Sequence, residues 1–537
     1  MTRRAAKAIL IVIGLAVATI LVHARSEAQP VQTEICLTNG QKIGVERFEI
    51  RDGKFLLYIT GSLAPMEFAA STIKGVNIPC QATTAPQLAT SPQGATAGQS
   101  RFGIHGSNTI GEQLMPLLVE TYELSKSAIK PKVALGLPEE QSISLNSGVV
   151  IDLKAHGSGT AMKSLLEGNA VIGMSSRRAN DDEAKAIQSK FNLNIRGSGN
   201  EHVLALDGLA VIVNPANPIR QLTLFQIAQV FAGQIANWSG VGGVDAPIRV
   251  HRRDEKSGTF DTFNSVVLSP QKLKMSPAAL AHESSEVLSD EVSRDVHAIG
   301  FIGLPYINRS RALSVGETCG ISSHPTKFAI KSEIYPLSRR LFLYSLGRPG
   351  LPTAAELLDF ALSDAAQQKI QEVGFVDQLV DFQDTAEQQN WTQAFTTAPG
   401  QFLPAGTQVP VDQAGVFASA SSRTQRSSIT LRFERSSADL DTRAQQDVAR
   451  LVRYLRSPAA SGRQIWLAGF ADAEGSWANN LSLAARRATA AAQALQKAGI
   501  QVPGNHILSF SYMAPVACND TDAGRAKNRR VEIWFSS

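Results

Sequence analysis

The chain has 537 residues, 43% of them hydrophobic and 18% charged, which is enough to bury several separate cores and suggests three or four domains. Its formal net charge is +5; setting aside residues 1–28, which hold four basic residues (Arg3, Arg4, Lys7, Arg25) and one acid (Glu27), lowers it by three, to +2. Nothing in that balance points to nucleic acid.

Residues 1–28 read as a secretory signal peptide. Arg3, Arg4 and Lys7 precede an apolar run at 8–22, and Ser26-Glu27-Ala28 is a small-x-small cleavage site. The run is shorter than the about 20 residues of a membrane-spanning helix, and no lipobox cysteine follows it. Residues 31–80 read as a small β module, in which Lys42-Ile43-Gly44-Val45 and Lys54-Phe55-Leu56-Leu57-Tyr58-Ile59 flank the turn Arg51-Asp52-Gly53. Of the four cysteines, Cys36 and Cys80 bracket this module and are expected to pair as in an oxidising compartment. Cys319 and Cys518 lie in separate domains and are expected to be reduced, buried thiols. Residues 81–100 hold no aromatic or acidic residue and read as a linker.

Residues 101–385 alternate strand-like runs (149–155, 170–174, 202–213, 248–252) with helical ones (112–124, 223–231), which means α/β. Three Ser/Thr/Gly turns each open a helix: Gly106-Ser107-Asn108-Thr109-Ile110-Gly111, Gly157-Ser158-Gly159-Thr160 and Ser257-Gly258-Thr259. A helix start offers unpaired amides and the positive end of the dipole, and glycine lets a ligand approach the backbone, so an oxyanion fits there. Arg253, four residues before Ser257, and Arg177, after Met174-Ser175-Ser176, are the candidate guanidinium partners. Each turn alone is an ordinary helix cap.

Together these motifs resemble the phosphate-binding periplasmic proteins of ABC transporters, over nearly the whole region. The resemblance also rests on Ala170-Val171-Ile172-Gly173-Met174-Ser175-Ser176-Arg177, on Asp207-Gly208-Leu209-Ala210-Val211-Ile212-Val213-Asn214 and on Ala298-Ile299-Gly300-Phe301-Ile302-Gly303. It implies two α/β lobes joined by crossing strands, the fold of periplasmic binding proteins, with the ligand in the cleft. Carried over by position, Ser107, Thr109, Ser158, Arg177, Arg253, Ser257, Gly258 and Thr259 should line that cleft. Phosphate keeps a proton near neutral pH, so selection against sulfate needs an acceptor, and Glu255 or Asp254 is the candidate. The sequence departs from the family at Val171, where an Asp is common, and in an apparent insertion at 138–147.

Residues 386–427 are rich in Thr, Ala, Ser and Gly, with few periodic apolar positions, and read as a second linker. Residues 428–537 start with a strand at 429–433 and a helix at 440–455. They continue with a strand at 464–470 and an Ala/Leu-rich helix at 480–497 ended by Gly499. Asp472 sits at the strand exit, and Arg487 shares a helix face with Asn480, Leu483 and Ala484.

With Gly524-Arg525-Ala526-Lys527-Asn528-Arg529-Arg530-Val531-Glu532-Ile533, this region resembles an OmpA-type peptidoglycan-binding domain, of βαβαββ form. In that family an Asp and an Arg at these positions hold the zwitterion of diaminopimelate in the peptidoglycan stem. A carboxylate suits the ammonium, and the guanidinium fork takes the carboxylate. Asp472, Asn480 and Arg487 are therefore the expected peptidoglycan-binding residues. Ala471 and Ala473 replace the family's Thr and Asn around the Asp. Taken alone, an Asp/Arg pair would be a surface salt bridge worth under about 1 kcal/mol.

The expected protein is a periplasmic solute-binding protein of a Gram-negative envelope, associated with the cell wall or outer membrane, that captures phosphate or a similar oxyanion. An ABC permease or a sensor is the open partner. The alternative is a structural envelope protein whose cleft has lost its ligand. No G-x-S-x-G, H-E-x-x-H, C-x-x-C or P-loop is present, so no enzyme activity, cofactor or metal is expected.

Overall fold

The computed structural model describes residues 100–536 save 136–138, 256, 399 and 434–439, together with six strands of the amino-terminal part. The signal peptide, residues 81–99 and Cys80 lie outside the described residues, so the readings made on them, including the Cys36 to Cys80 pairing, are not described further. The chain divides into two compact units, Met1–Gly94 and Ala95–Ser537.

In the first unit, Thr33–Leu37 lies between Lys42–Val45 and Ile73–Val76 in one antiparallel sheet. Lys54–Tyr58 lies between Arg47–Arg51 and Met66–Ala69 in another. Ile35, Val45, Leu56 and Leu57 of these short strands are buried.

In the second unit, parallel strands Val150–Ala155, Arg101–Gly106 and Ile172–Ser175 form the centre of a first lobe. Strands Arg249–Arg253 and Ala298–Gly303 form the centre of a second lobe. The 13-residue strand Glu201–Val213 joins them: Glu201 to Gly208 pair with Ser338–Tyr344, and Leu209 to Val213 pair with Ala298–Gly303. The chain thus crosses once on Glu201–Val213 and returns on Ser338–Tyr344. Both strands are covered on two faces, and this is why Glu201–Val213 reads as an almost unbroken apolar run instead of an alternating one. Each lobe has its own core, Ile104, Leu118, Ile151 and Leu343 in the first and Phe231, Phe263 and Phe301 in the second. Helices begin at the caps the sequence offers, such as the Asn180/Glu183 and Thr223/Gln226 capping boxes.

The carboxy-terminal domain is a four-stranded sheet in the order Gln425–Arg432, Arg530–Ser536, Gln464–Phe470, Ile507–Ser509. Helices Thr442–Leu455 and Trp477–Lys497 follow the first and second strands in the chain, and a short helix, Asp522–Asn528, precedes the last strand. Inside it, Glu532 binds Arg426 at 2.7 and 2.8 Å and Arg530 at 2.8 Å, and the Arg426 guanidinium lies over the Trp391 ring. Burial pushes the Glu532 carboxyl up, but the two guanidinium groups outweigh it and hold it at about 2.

Two expectations are corrected. Residues 386–427 are not an extended linker: helices Thr385–Thr397 and Val411–Ser422 occupy most of the segment. Phe395 and Phe417 pack with Phe470, Phe510 and Trp534 in one buried cluster. A few aromatics, each burying a large area, anchor a stretch whose average composition is that of a linker. Cys319 and Cys518 are not reduced thiols but a disulfide across 199 residues, joining the second lobe to the carboxy-terminal domain.

That disulfide is part of a packed junction. Glu333, between the lobes' helices and the returning strand, accepts from Arg340 of that strand and binds Arg432 and Arg443 of the carboxy-terminal domain, at 3.2 and 2.7 Å. Burial raises the Glu333 carboxyl, but the surrounding guanidinium groups outweigh it and hold it well below the usual range. Among the described residues no helix is long and apolar enough to cross a membrane.

Candidate functional sites

Between the lobes lies a cavity of about 340 Å³. Its walls include Thr109 and Glu112 from the first lobe and Arg253, Ser257, Gly258, Thr259, Glu283 and Ser285 from the second. Gly106, at φ 143° in the left-handed half of backbone space, turns the strand Arg101–Gly106 sharply into the helix Asn108–Gly111. This places Thr109 at the lobe boundary. Ser257 opens the helix Gly258–Phe263 from the other side, its hydroxyl accepting from the Thr259 amide at 3.2 Å. Gly258 needs no side chain there: a Cβ would lie 2.5 Å from Thr109 Oγ1. The two lobes therefore touch at Thr109 and Gly258.

Arg253 is fixed on the second-lobe wall. Its guanidinium donates to the Glu283 carbonyl at 2.7 Å, the His282 carbonyl at 3.3 Å and the Ser285 hydroxyl. Burial lowers its pKa, with Asp254 opposing. The lining also carries Glu112, Asp207, Glu283 and Glu286, so among the described lining residues carboxylates outnumber cations. Burial raises the Glu112 carboxyl.

Of the residues expected to meet here, Thr109, Arg253, Ser257, Gly258 and Thr259 line the cavity. Ser107 is buried beside it, at the start of the same helix as Thr109. Ser158, Arg177 and Glu255 do not line it, and each is held elsewhere. The Ser158 hydroxyl lies 2.9 Å from both the amide and the hydroxyl of Ser176. Arg177 grips Glu183 through two bonds of 2.7 and 2.8 Å, on the first turn of the helix Asp181–Phe191. Glu255 is three-quarters exposed and lies 3.5 Å from Arg252.

Two further residues stand at this junction: Asp207, which opens a motif of the family resemblance but is not among the residues expected in the cleft, and Arg339. Arg339 binds Asp207 at 3.2 Å and donates to Thr109 Oγ1 at 3.0 Å and to the Gly258 carbonyl at 3.2 Å. Both lie on the two strands that join the lobes. An acid inside the apolar run at 203–213, and an arginine pair before Leu341-Phe342-Leu343-Tyr344, are the signals that mark them.

A second site lies at one end of the carboxy-terminal sheet. Asp472 follows the strand Gln464–Phe470; one of its carboxylate oxygens accepts from Arg529 at 2.9 Å and the other from the Glu474 amide at 3.2 Å. Asn480 donates to the Glu474 carbonyl at 2.7 Å and so shapes the same loop. Arg487, on the helix Trp477–Lys497, is buried and lies over the Phe433 ring at 5.7 Å. Burial and the neighbouring Arg529 lower its pKa to about 10, with Asp472 opposing. The structure brings Asp472, Asn480 and Arg487 together and adds Arg529. The Asn519 side chain accepts from the Ala473 amide at 3.0 Å, so the loop around Ala473 is held from outside.

Residues 95–365 match the PBP superfamily domain. The chain belongs to the PBP superfamily. Residues 432–529 of this PBP-superfamily protein match the OmpA family. It is 26% identical over 237 residues to the phosphate-binding protein PstS of Borreliella burgdorferi, covering 43% of this chain and 81% of the relative. An ABC-type phosphate transport receptor from Vibrio cholerae is 26% identical with a TM-score of 0.41, covering 51% of this chain and 99% of that one. The peptidoglycan-associated lipoprotein of Burkholderia pseudomallei is 27% identical with a TM-score of 0.18, covering 20% and 89%.

Proposed function

We propose that this protein is an exported envelope component that holds phosphate, or a closely related oxyanion, between its lobes, and the diaminopimelate-bearing stem of peptidoglycan at Asp472, Asn480 and Arg487. The observation that carries the first half is the convergence of Thr109, Ser257, Gly258, Thr259 and Arg253 on one interlobe cavity. Hydroxyls and a half-buried guanidinium suit an oxyanion. The carboxylates of the wall suit a ligand that still carries a proton, because an acceptor facing a fully ionised anion leaves two lone pairs opposed. Phosphate near neutral pH meets that condition and sulfate does not.

The second half is supported by the Asp472 and Arg487 pair in a domain that matches the OmpA family. Similarity to phosphate-binding proteins supports binding over catalysis as the activity, and delivery to a permease or signalling to a sensor are the roles such capture would serve. The setting is the periplasm of a Gram-negative cell, where the solute cleft and the wall are both reachable.

One observation favours the alternative, a structural protein with a silent cleft: among the described lining residues, Arg253 is the one cation against Glu112, Asp207, Glu283 and Glu286. Calorimetric titration of the full chain with phosphate, arsenate and sulfate separates the two. Micromolar or tighter phosphate binding is expected, and silence with all three anions would establish the alternative.

A further inference from the structure

The carboxy-terminal domain is tied to the second lobe and also touches the first. On the second-lobe side lie the Cys319–Cys518 disulfide and the hydrogen bond from Thr318 to Asp520 at 2.6 Å. Arg432 and Arg443 also donate to the carbonyls of Ser332 and Lys331. On the first-lobe side the contacts are fewer and polar. Arg453 forks onto Asp364 at 2.8 and 3.2 Å, and Thr442 donates to the Arg196 carbonyl at 3.0 Å. The side-chain oxygen of Gln446 accepts from the Val203 amide at 3.2 Å. Val203 lies where the pairing register of the crossing strand shifts, so this bond is made on the element that joins the lobes.

A domain cross-linked to the second lobe by a disulfide, and held to the first by the chain that follows the first-lobe helix Asp364–Glu372 and by the polar contacts above, adds lobe-to-lobe contacts. Opening the lobes must break the Arg453, Thr442 and Gln446 contacts, and closing them must remake these contacts. In the present arrangement the lobes touch at Thr109 and Gly258, and the domain is docked on both.

The residues of the second site are buried in this same arrangement, by contacts within their own domain, and the face beside them meets the lobes. Asp472 is 9% exposed, Asn480 4% and Arg487 0%. Arg529, which holds Asp472, faces a chamber of about 420 Å³ whose other walls include Arg178, Arg339 and Arg340 of the lobes. A stem peptide attached to an insoluble polymer needs that face open.

We infer that solute capture and wall binding oppose each other in this protein: a ligand that closes the lobes docks the carboxy-terminal domain and shields its stem-peptide site, and peptidoglycan bound there holds the lobes apart. The coupling deepens the two ligand readings proposed above and rests on both. It requires no contact between the ligands, because both bias one two-state element, the angle between the lobes.

The test uses the full-length, oxidised chain. Sedimentation with purified peptidoglycan is measured at saturating phosphate and at matched ionic strength in chloride. Phosphate is expected to weaken wall binding at least about fivefold, and a soluble diaminopimelate muropeptide is expected to weaken phosphate binding by the same factor, as linkage demands. The double variant Gln446→Ala, Arg453→Ala touches neither site and is expected to keep both affinities while losing most of the mutual effect. Two ligands that bind with affinities indifferent to each other, or that reinforce each other, would overturn the coupling and leave the capture and tether readings intact. Failure of phosphate to bind at all would remove the capture reading and the coupling with it, and failure of peptidoglycan to bind would do the same for the tether.

Discussion

Arg529 Nη1 lies 2.9 Å from Asp472 Oδ2, so the carboxylate expected to hold a ligand ammonium already has a guanidinium partner. The other carboxylate oxygen takes the Glu474 amide. An incoming ammonium must therefore share or displace Arg529, and the charge of Asp472 is what it competes for. Asp472→Asn keeps the shape and removes that charge. We expect it to abolish sedimentation with peptidoglycan while costing about 1–3 kcal/mol of stability, as for a partly buried charged hydrogen bond. Wild-type sedimentation of this variant would remove Asp472 from the binding role.

In the cleft, Arg253 and Arg177 should behave differently, although the sequence ranks them alike. Arg253 lines the cavity, whereas Arg177 is held by Glu183. Arg253→Ala is expected to weaken phosphate binding by about 1.5–3 kcal/mol, roughly ten- to hundredfold, the worth of a hydrogen bond to a charged group. Arg177→Ala should leave it within about twofold. Calorimetry on both variants checks this, and a larger effect at Arg177 would move the oxyanion site toward the first lobe.

The Cys319–Cys518 bond closes a loop of 199 residues between two domains. Cross-links of that span stabilise mainly by restricting the unfolded chain, typically by about 2–4 kcal/mol. The variant Cys319→Ser, Cys518→Ser should therefore melt several degrees lower than the parent under oxidising conditions. In reductant the two should melt together. Identical melting in both conditions would mean that the junction centred on Glu333 holds the domains unaided.

Glu532 sets an acid limit on stability. Its carboxyl is held at about 2 in the folded protein, below the 4.5 of a free side chain. The stabilisation it contributes is complete above about 4.5 and is lost as pH falls toward 2, because the unfolded chain takes up the proton first. Glu532→Gln should cost about 3–5 kcal/mol at neutral pH by leaving Arg426 and Arg530 buried without their counter-charge. It should also flatten the decline in melting temperature below pH 4.5. An unchanged acid profile would place the titrating group elsewhere, with Glu333 the next candidate.

Much of the fold was readable along the chain because its signals are local. The strand at 202–213, the helix starts at Ser257 and Thr223, and the two helices of the carboxy-terminal domain follow from apolar periodicity and caps, and they stand within a few residues of expectation. The segment at 386–427 was not readable in that way. Its helices are stabilised by where Phe395 and Phe417 insert, and average composition does not reveal an insertion point. The pairing of Asp207 with Arg339 was hidden for a related reason: the two are far apart in sequence and meet only because two strands cross between the lobes.

By itself the sequence determined the families that residues 95–365 and 432–529 match, the chemistry on offer and the residue types that carry it, since Ser/Thr/Gly turns, Arg253 and the Asp472 to Arg487 spacing are short-range patterns. Only the tertiary structure decided which of those groups share a cavity, that Arg177 and Glu255 are engaged elsewhere, and that Cys319 finds Cys518. The physical reason is the same in each case. Sequence spacing does not say whether a charge or a thiol engages a neighbour or faces a ligand: Glu183 lies six residues from Arg177 and Arg252 three from Glu255, while Cys518 lies 199 from Cys319, and in every case it is the folded backbone that sets which groups meet.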